Sequence, residues 1–163
     1  VGYTHYWRVD RDADRARLVE AGREMAKVLR ASAVPLADGM GEPGTEPVID
    51  LDAGSVWFNG VEDDGCETFY WPPDLGRPAQ NDPGRTFDFC KTWGMPYDSV
   101  VVACLLVAQR VLGEQIEVTS DGTLEDFLDH TEHGEPGEES PRSLYVRVFG
   151  NEPPIPGWFT RDR

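Results

Sequence analysis

Phe87-Asp88-Phe89-Cys90-Lys91-Thr92-Trp93-Gly94-Met95-Pro96-Tyr97-Asp98 runs straight into Ser99-Val100-Val101-Val102-Ala103-Cys104-Leu105-Leu106-Val107-Ala108 and on to Gly113. This stretch decides the fold. Its second half offers no polar face between Val100 and Ala108, as expected of a helix buried on all sides. Pro96 turns Met95 away from helical geometry, Asp98 is a good N-cap and Gly113 a good C-terminal stop. The sequence therefore predicts a buried helix over residues 99–112. Its positive end would point back at a thiol, an amine, a phenol and a carboxylate, and a site is expected there.

Working outward from that helix, Gly2 to Val9 alternates aromatic and polar residues and reads as a strand, with Tyr3, His5 and Trp7 sharing a face. From about Asp12 to Ser32 the pattern is helical, with Leu18, Met25, Val28 and Leu29 near one stripe. Pro35 to Pro47 is a loop rich in Gly and Pro. Two strands, Val48 to Leu51 and Ser55 to Phe58, flank a turn at Asp52-Ala53-Gly54, and Asn59-Gly60 is expected to end the second in a tight turn. Cys66 to Trp71 is a further strand, stopped by Pro72-Pro73, and residues 74–86 are loop.

Beyond the buried helix, Gln115 to Thr119 reads as a strand and Ser120-Asp121-Gly122 as a turn. Thr123 or Asp121 would cap a short helix reaching about Asp129, and Glu132 to Glu139 is an acidic loop. Ser140-Pro141 and Gly150 bracket a helix, which is preferred over a strand despite the β-branched and aromatic content of Ser143 to Phe149. Residues 152–163 form an irregular tail with Trp158 and Phe159 pinned to the surface. Together these elements predict one α+β domain over residues 1–163, a mainly antiparallel sheet packed on two or three helices.

The bulk composition restricts function more than it defines it. The net charge of −15 disfavours a nucleic-acid backbone or an anionic membrane as partner, since both require basic surface. The charge also admits an acidic face that docks on a basic protein or mimics nucleic acid. The nine apolar residues from Val100 to Ala108 cannot span a bilayer, and the N-terminal residues lack the apolar core of a signal peptide. A cytoplasmic protein is expected. Cys66, Cys90 and Cys104 form neither a disulfide framework nor a CxxC zinc pattern. Lys27 and Lys91 are the only lysines among 15 basic residues, an Arg bias that suggests a GC-rich genome such as that of an actinobacterium or its phage.

Gly2-Tyr3-Thr4-His5-Tyr6-Trp7, Phe58-Asn59-Gly60, Glu67-Thr68-Phe69, Phe89-Cys90-Lys91-Thr92 with Pro96-Tyr97-Asp98, and Ser120-Asp121-Gly122 occur in this order. The set resembles a family of short uncharacterised proteins of bacteria and their viruses, with relatives in fungi. The likeness covers roughly residues 2–150 and implies a shared fold and a shared site, without a reaction. This chain departs from the family where a basic residue precedes Pro96. Met95 stands there instead, which removes an anion-binding role from that position.

Cys90 is the candidate nucleophile, because a helix N-terminus and Lys91 would both lower its pKa. His5 is the candidate acid or base by type, and a triad of Cys90, His5 and Glu67 or Asp121 can be written. The catalytic set is thus Cys90, His5, Lys91 and Asp121, and the ligand-binding set Asn59, Glu67, Tyr97 and Asp98. His5, Asn59 and Cys90 are expected to line one cavity. His130 and His133 stand three apart but in an acidic, Gly-rich context, so no metal is assigned. The Gly39 to Gly44 loop lacks the residues and context of a phosphate-binding loop, and no cofactor is assigned. The expectation is a small-molecule enzyme or binder with a polar pocket at the N-terminus of the buried helix. The alternative is an acidic interaction protein whose partner is basic.

Overall fold

A computed structural model describes residues 3–131 and 138–161. The chain is α+β, with seven strands in two antiparallel sheets and four α-helices among the described residues. The first sheet has the order β6-β1-β7, with β1 at Thr4–Val9, β6 at Asp88–Lys91 and β7 at Ile116–Ser120. In the second, β4 (Ser55–Gly60) is central. It pairs with β3 (Val48–Asp50), with β5 (Phe69–Trp71) and, at its end, with the two-residue β2 (Leu36–Ala37).

Helix α1 (Arg15–Ala31) begins where the Asp14 carboxylate accepts the Ala16 N–H at 2.9 Å. Its buried residues, Leu18, Ala21, Gly22, Met25, Ala26, Val28 and Leu29, form one helical stripe. Gly22 has a specific reason to lack a side chain. A Cβ there would stand 1.7 Å from the Gly54 carbonyl oxygen, so the turn between β3 and β4 rests directly on the helix.

Helix α2 (Asp98–Leu112) is the centre of the core: every residue from Asp98 to Ala108 is buried. It packs against α1, α4 (Pro141–Phe149) and β7, which explains why its sequence has no polar face. Ser140 caps α4 by accepting the Ser143 N–H, and Gly150 ends it at φ 77°, so the capping residues prevail over the β-prone composition. The shorter α3 (Leu124–Asp129) starts in a capping box made by Thr123 and Asp126. The tail follows no regular element until the 3-10 turn Gly157–Thr160, where Phe159 packs 5.0 Å from Phe127.

Four local expectations change. Asn59 and Gly60 do not end β4 in a turn; they are strand residues, with Asn59 opposite Ala37 and Gly60 opposite Leu36. Phe87 to Lys91, read as a lead-in to the helix, contains strand β6. The Pro35–Pro47 loop contains β2. Finally, Asp98 is the first residue of α2 rather than its cap: Tyr97 takes the cap position, with no side-chain capping bond. The Asp98 carboxylate has stronger donors elsewhere.

Candidate functional site

Register builds the polar centre of the molecule. His5 lies opposite Cys90 on one side and Ser120 on the other, so β6, β1 and β7 present these three residues side by side toward the core. The N-terminal turn of α2 packs beneath them. His5 is fully buried, with its Nδ1 2.9 Å from Ser120 Oγ and its Nε2 2.6 Å from Asp98 Oδ1. The Thr92 hydroxyl donates to the same Asp98 oxygen at 2.5 Å. Two strong donors therefore converge on Oδ1 and draw the carboxylate away from the helix N–H groups. Asp98 Oδ2, also buried, has no hydrogen-bond partner.

Asp98 is also part of a cavity wall. A cavity of about 240 Å³ opens at the N-terminal end of α2, with Val34, Met95 and Pro96 as apolar lining and Asp98, His130 and Glu139 as polar lining. His130 follows α3, its ring 5.8 Å from that of Tyr3, and its Nε2 is a second buried atom without a partner. Glu139 is engaged by Arg147, which donates Nε–H and Nη2–H to its two oxygens at 2.7 and 2.8 Å. The described lining residues thus include two with a buried polar atom that lacks a hydrogen-bond partner.

The other candidates take structural positions. Cys90 is fully buried and its Sγ donates to the Glu67 carbonyl at 3.4 Å. Burial pushes its thiol well up, the reverse of the lowering expected from a helix end and a lysine. The lysine is on the wrong side for that purpose. Successive strand residues face opposite ways, and Lys91 Nζ sits 4.2 Å above the Trp93 ring on the outer face of the sheet.

The Tyr97 hydroxyl donates to the Glu67 carbonyl at 2.7 Å, and burial raises its pKa as well. The Glu67 carboxylate accepts the Lys91 backbone N–H at 2.7 Å and so fastens the end of β6. Asp121 accepts the Thr4 backbone N–H at 3.1 Å and the Tyr6 hydroxyl at 2.9 Å, and is exposed rather than beside His5.

Asn59 belongs to the second sheet. Its Nδ2 donates to the Gly39 and Cys66 carbonyls, and its Oδ1 accepts the N–H groups of Gly60 and Cys66. His5, Asn59 and Cys90 do not line the cavity at α2, so the expected composite of those three is not formed there; Asp98 and His130 are among its polar lining. The triad of Cys90, His5 and Glu67 or Asp121 is likewise not assembled: Glu67 and Asp121 bind backbone groups, and the imidazole faces Asp98 and Ser120.

Two members of the buried network, Thr92 and Ser120, were absent from the expected site. Ser120 had a readable signal, because a strand continued one residue past Thr119 places it in line with inward-facing Val118. Thr92 had none, since only the Trp93-Gly94 turn brings it back to Asp98, with both residues at positive φ. His130, expected in an acidic loop, stands at the C-terminal end of α3. His133, its proposed companion, lies outside the described residues. No cluster of three or more His, Cys, Asp or Glu is placed to hold a metal among the described residues.

Comparison with protein-family models, with curated proteins and with solved structures finds no match to this chain. No helix among the described residues is long and apolar enough to cross a membrane.

Proposed function

We propose that the protein binds a small molecule in the cavity at the N-terminal end of α2, with Asp98 as the anchoring group. The observation that carries this reading is Asp98 Oδ2: a buried oxygen without a partner, on a residue that forms the wall of a cavity. An unsatisfied buried acceptor costs roughly 1–3 kcal/mol, and more when charged, so a site that keeps one gains from a ligand that fills it. The apolar remainder of the wall is the usual complement to a few orienting polar groups.

His5, Thr92 and Ser120 do not face the ligand in this reading. His5 and Thr92 hold the carboxylate in one orientation, and Ser120 holds the imidazole of His5. Catalysis by a Cys90 thiolate loses its electrostatic basis in this environment. The reading is that of a binding site first.

A fragment screen by ¹H–¹⁵N NMR on the full chain tests it. Compounds that enter the cavity should shift the amides of Val34, Met95, Ser99 and Thr131, and Ala33→Trp at the exposed rim should abolish those shifts. A screen in which no compound class moves these amides removes the proposal.

A second reading, a docking protein for a basic partner, is supported by the −15 charge together with exposed Phe87, Phe89 and Trp93 beside the outer face of the first sheet. Phe87 stacks 6.1 Å from Tyr6 and lies 5.9 Å from Phe89, forming one aromatic strip. Binding of a basic protein that survives Ala33→Trp, but is lost in Phe87→Ala/Phe89→Ala and at high salt, would favour this second reading.

A further inference from the structure

We propose that the ligand of the α2 cavity is a small organic cation, a primary or secondary amine carried on an apolar body. The inference rests on the reading of this cavity as a ligand site and adds the chemical class. Three features of the wall point to it.

The first is the chemistry of the two unpartnered atoms on its lining residues. Asp98 Oδ2 only accepts while the carboxylate is ionised, and it is held in place because Oδ1 is fixed by His5 and Thr92. His130 Nε2 accepts as well when the imidazole carries its proton on Nδ1. An ammonium group carries two or three N–H donors on one atom, which suits a wall whose unpartnered positions are acceptors.

The second feature is charge. The ionisable side chains along the described wall are Asp98, Glu138, Glu139 and His130, with no Lys or Arg among the described lining residues. Arg147 compensates Glu139 from outside that wall, which leaves Asp98 as the acceptor in need of a donor. The whole chain adds to this selection, since a net charge of −15 raises the local concentration of cations and lowers that of anions.

The third feature is the apolar side. Ala33, Val34, Met95 and Pro96 offer methyl and methylene contacts without polar atoms beyond the backbone. Met95 contributes a side chain that adapts to the shape of an alkyl group. The cavity, about 240 Å³, is well above the roughly 10–15 Å³ that one water requires on the same measure. A simple metal cation fits less well: one free carboxylate oxygen and one imidazole nitrogen are too few ligands, and an apolar wall supplies none of the remainder.

The experiment is an NMR titration of the full chain with n-butylammonium chloride, n-butanol and sodium butyrate at matched ionic strength. The expected result is a saturable shift of the Val34, Met95, Ser99 and Thr131 amides by n-butylammonium. Its affinity should exceed that of n-butanol by at least tenfold, and butyrate should cause no cavity shift. Asp98→Asn should lower the amine affinity at least tenfold. Because Asp98 also holds His5 and Thr92, Ala33→Trp at the exposed rim and His130→Ala serve as variants that leave that network intact. The first should abolish binding and the second should weaken it several-fold.

If n-butanol or butyrate shifts the cavity amides as strongly as the amine, the cationic class is wrong while the cavity remains a ligand site. If n-butylammonium binds Ala33→Trp undiminished, its site lies elsewhere and the proposal is overturned. Absence of any cavity shift with n-butylammonium overturns it as well. The fragment screen then decides separately whether the cavity binds another class or nothing.

Discussion

Asn59 and Asp98 are both buried polar side chains, but they use their hydrogen-bonding capacity in opposite ways. Asn59 commits both amide hydrogens and both lone-pair positions of its oxygen to the backbone around β4. Asp98, a residue of the cavity wall, concentrates its bonds on one oxygen and leaves the other without a partner. Burial alone therefore does not mark a candidate for ligand recognition. Unused hydrogen-bonding capacity on a residue of a cavity wall does, whereas a fully paired side chain is a fastener.

Isosteric exchange tests this contrast, and the largest effect is expected at the fastener. Asn59→Asp puts a carboxylate oxygen against the Gly39 and Cys66 carbonyls, where two N–H donors stood. The variant should lose about 4 kcal/mol of stability in urea denaturation, the scale of a buried charge deprived of partners. Asp98→Asn keeps an oxygen for His5 and Thr92 but removes the charge that strengthens both bonds, so its cost should be about 2 kcal/mol. Equal losses in the two variants would break the comparison.

How far the sequence could reveal this contrast follows from the kind of interaction involved. Helix α2 was legible because nine consecutive apolar residues admit only a buried element, and α1 because its stripe is regular. The α4 caps outweighed a misleading composition. Strand β6 was missed because Asp88 to Lys91 is short and neighbours a turn, and its pairing with β1 is a long-range choice that no local pattern encodes.

The sequence also drew attention to the start of α2, where the cavity lies. Which residues meet there was less legible. Cys90 and Lys91 are adjacent in sequence, which suggested cooperation, but strand geometry sends them to opposite faces. Asp98 was recognised by type and given the wrong partners, since nothing local shows that His5 and Thr92 converge on it.

The buried thiol sharpens the comparison further, because Cys90 is a polar group whose single donor is already used. Its pKa is raised in the folded protein from an ordinary value near 9.0, chiefly by burial. A raised folded pKa contributes stability that is present below the unfolded value and is lost as pH rises. Between pH 8 and 10 the unfolded thiol ionises while the folded one does not, at a cost of about 1 kcal/mol for this group. Cys90→Ala should flatten that part of the pH–stability curve. Iodoacetamide should label exposed Cys66 in the folded protein and reach Cys90 only after denaturation.

The smallest effect is expected at α3, which leads to His130. The Asp126 carboxyl is held below its ordinary range, first by the Thr123 backbone N–H and then by the Thr123 hydroxyl. A depressed pKa contributes stability that is present above pH 3.8 and disappears as pH falls through the lower folded value. The group is exposed, so Asp126→Asn should change global stability by only a few tenths of a kcal/mol at neutral pH. Faster hydrogen exchange in residues 124–129 is the expected local sign.

The account depends most directly on what stands next to Asp98 Oδ2. A crystal structure of the full chain, soaked in n-butylammonium chloride, measures it. The account predicts unchanged bonds from His5 and Thr92 to Oδ1 and a new non-protein donor within about 3 Å of Oδ2, in the space bounded by Val34, Met95 and His130. An Asp98 side chain whose second oxygen instead takes a protein donor, with the cavity closed over it, would contradict the account.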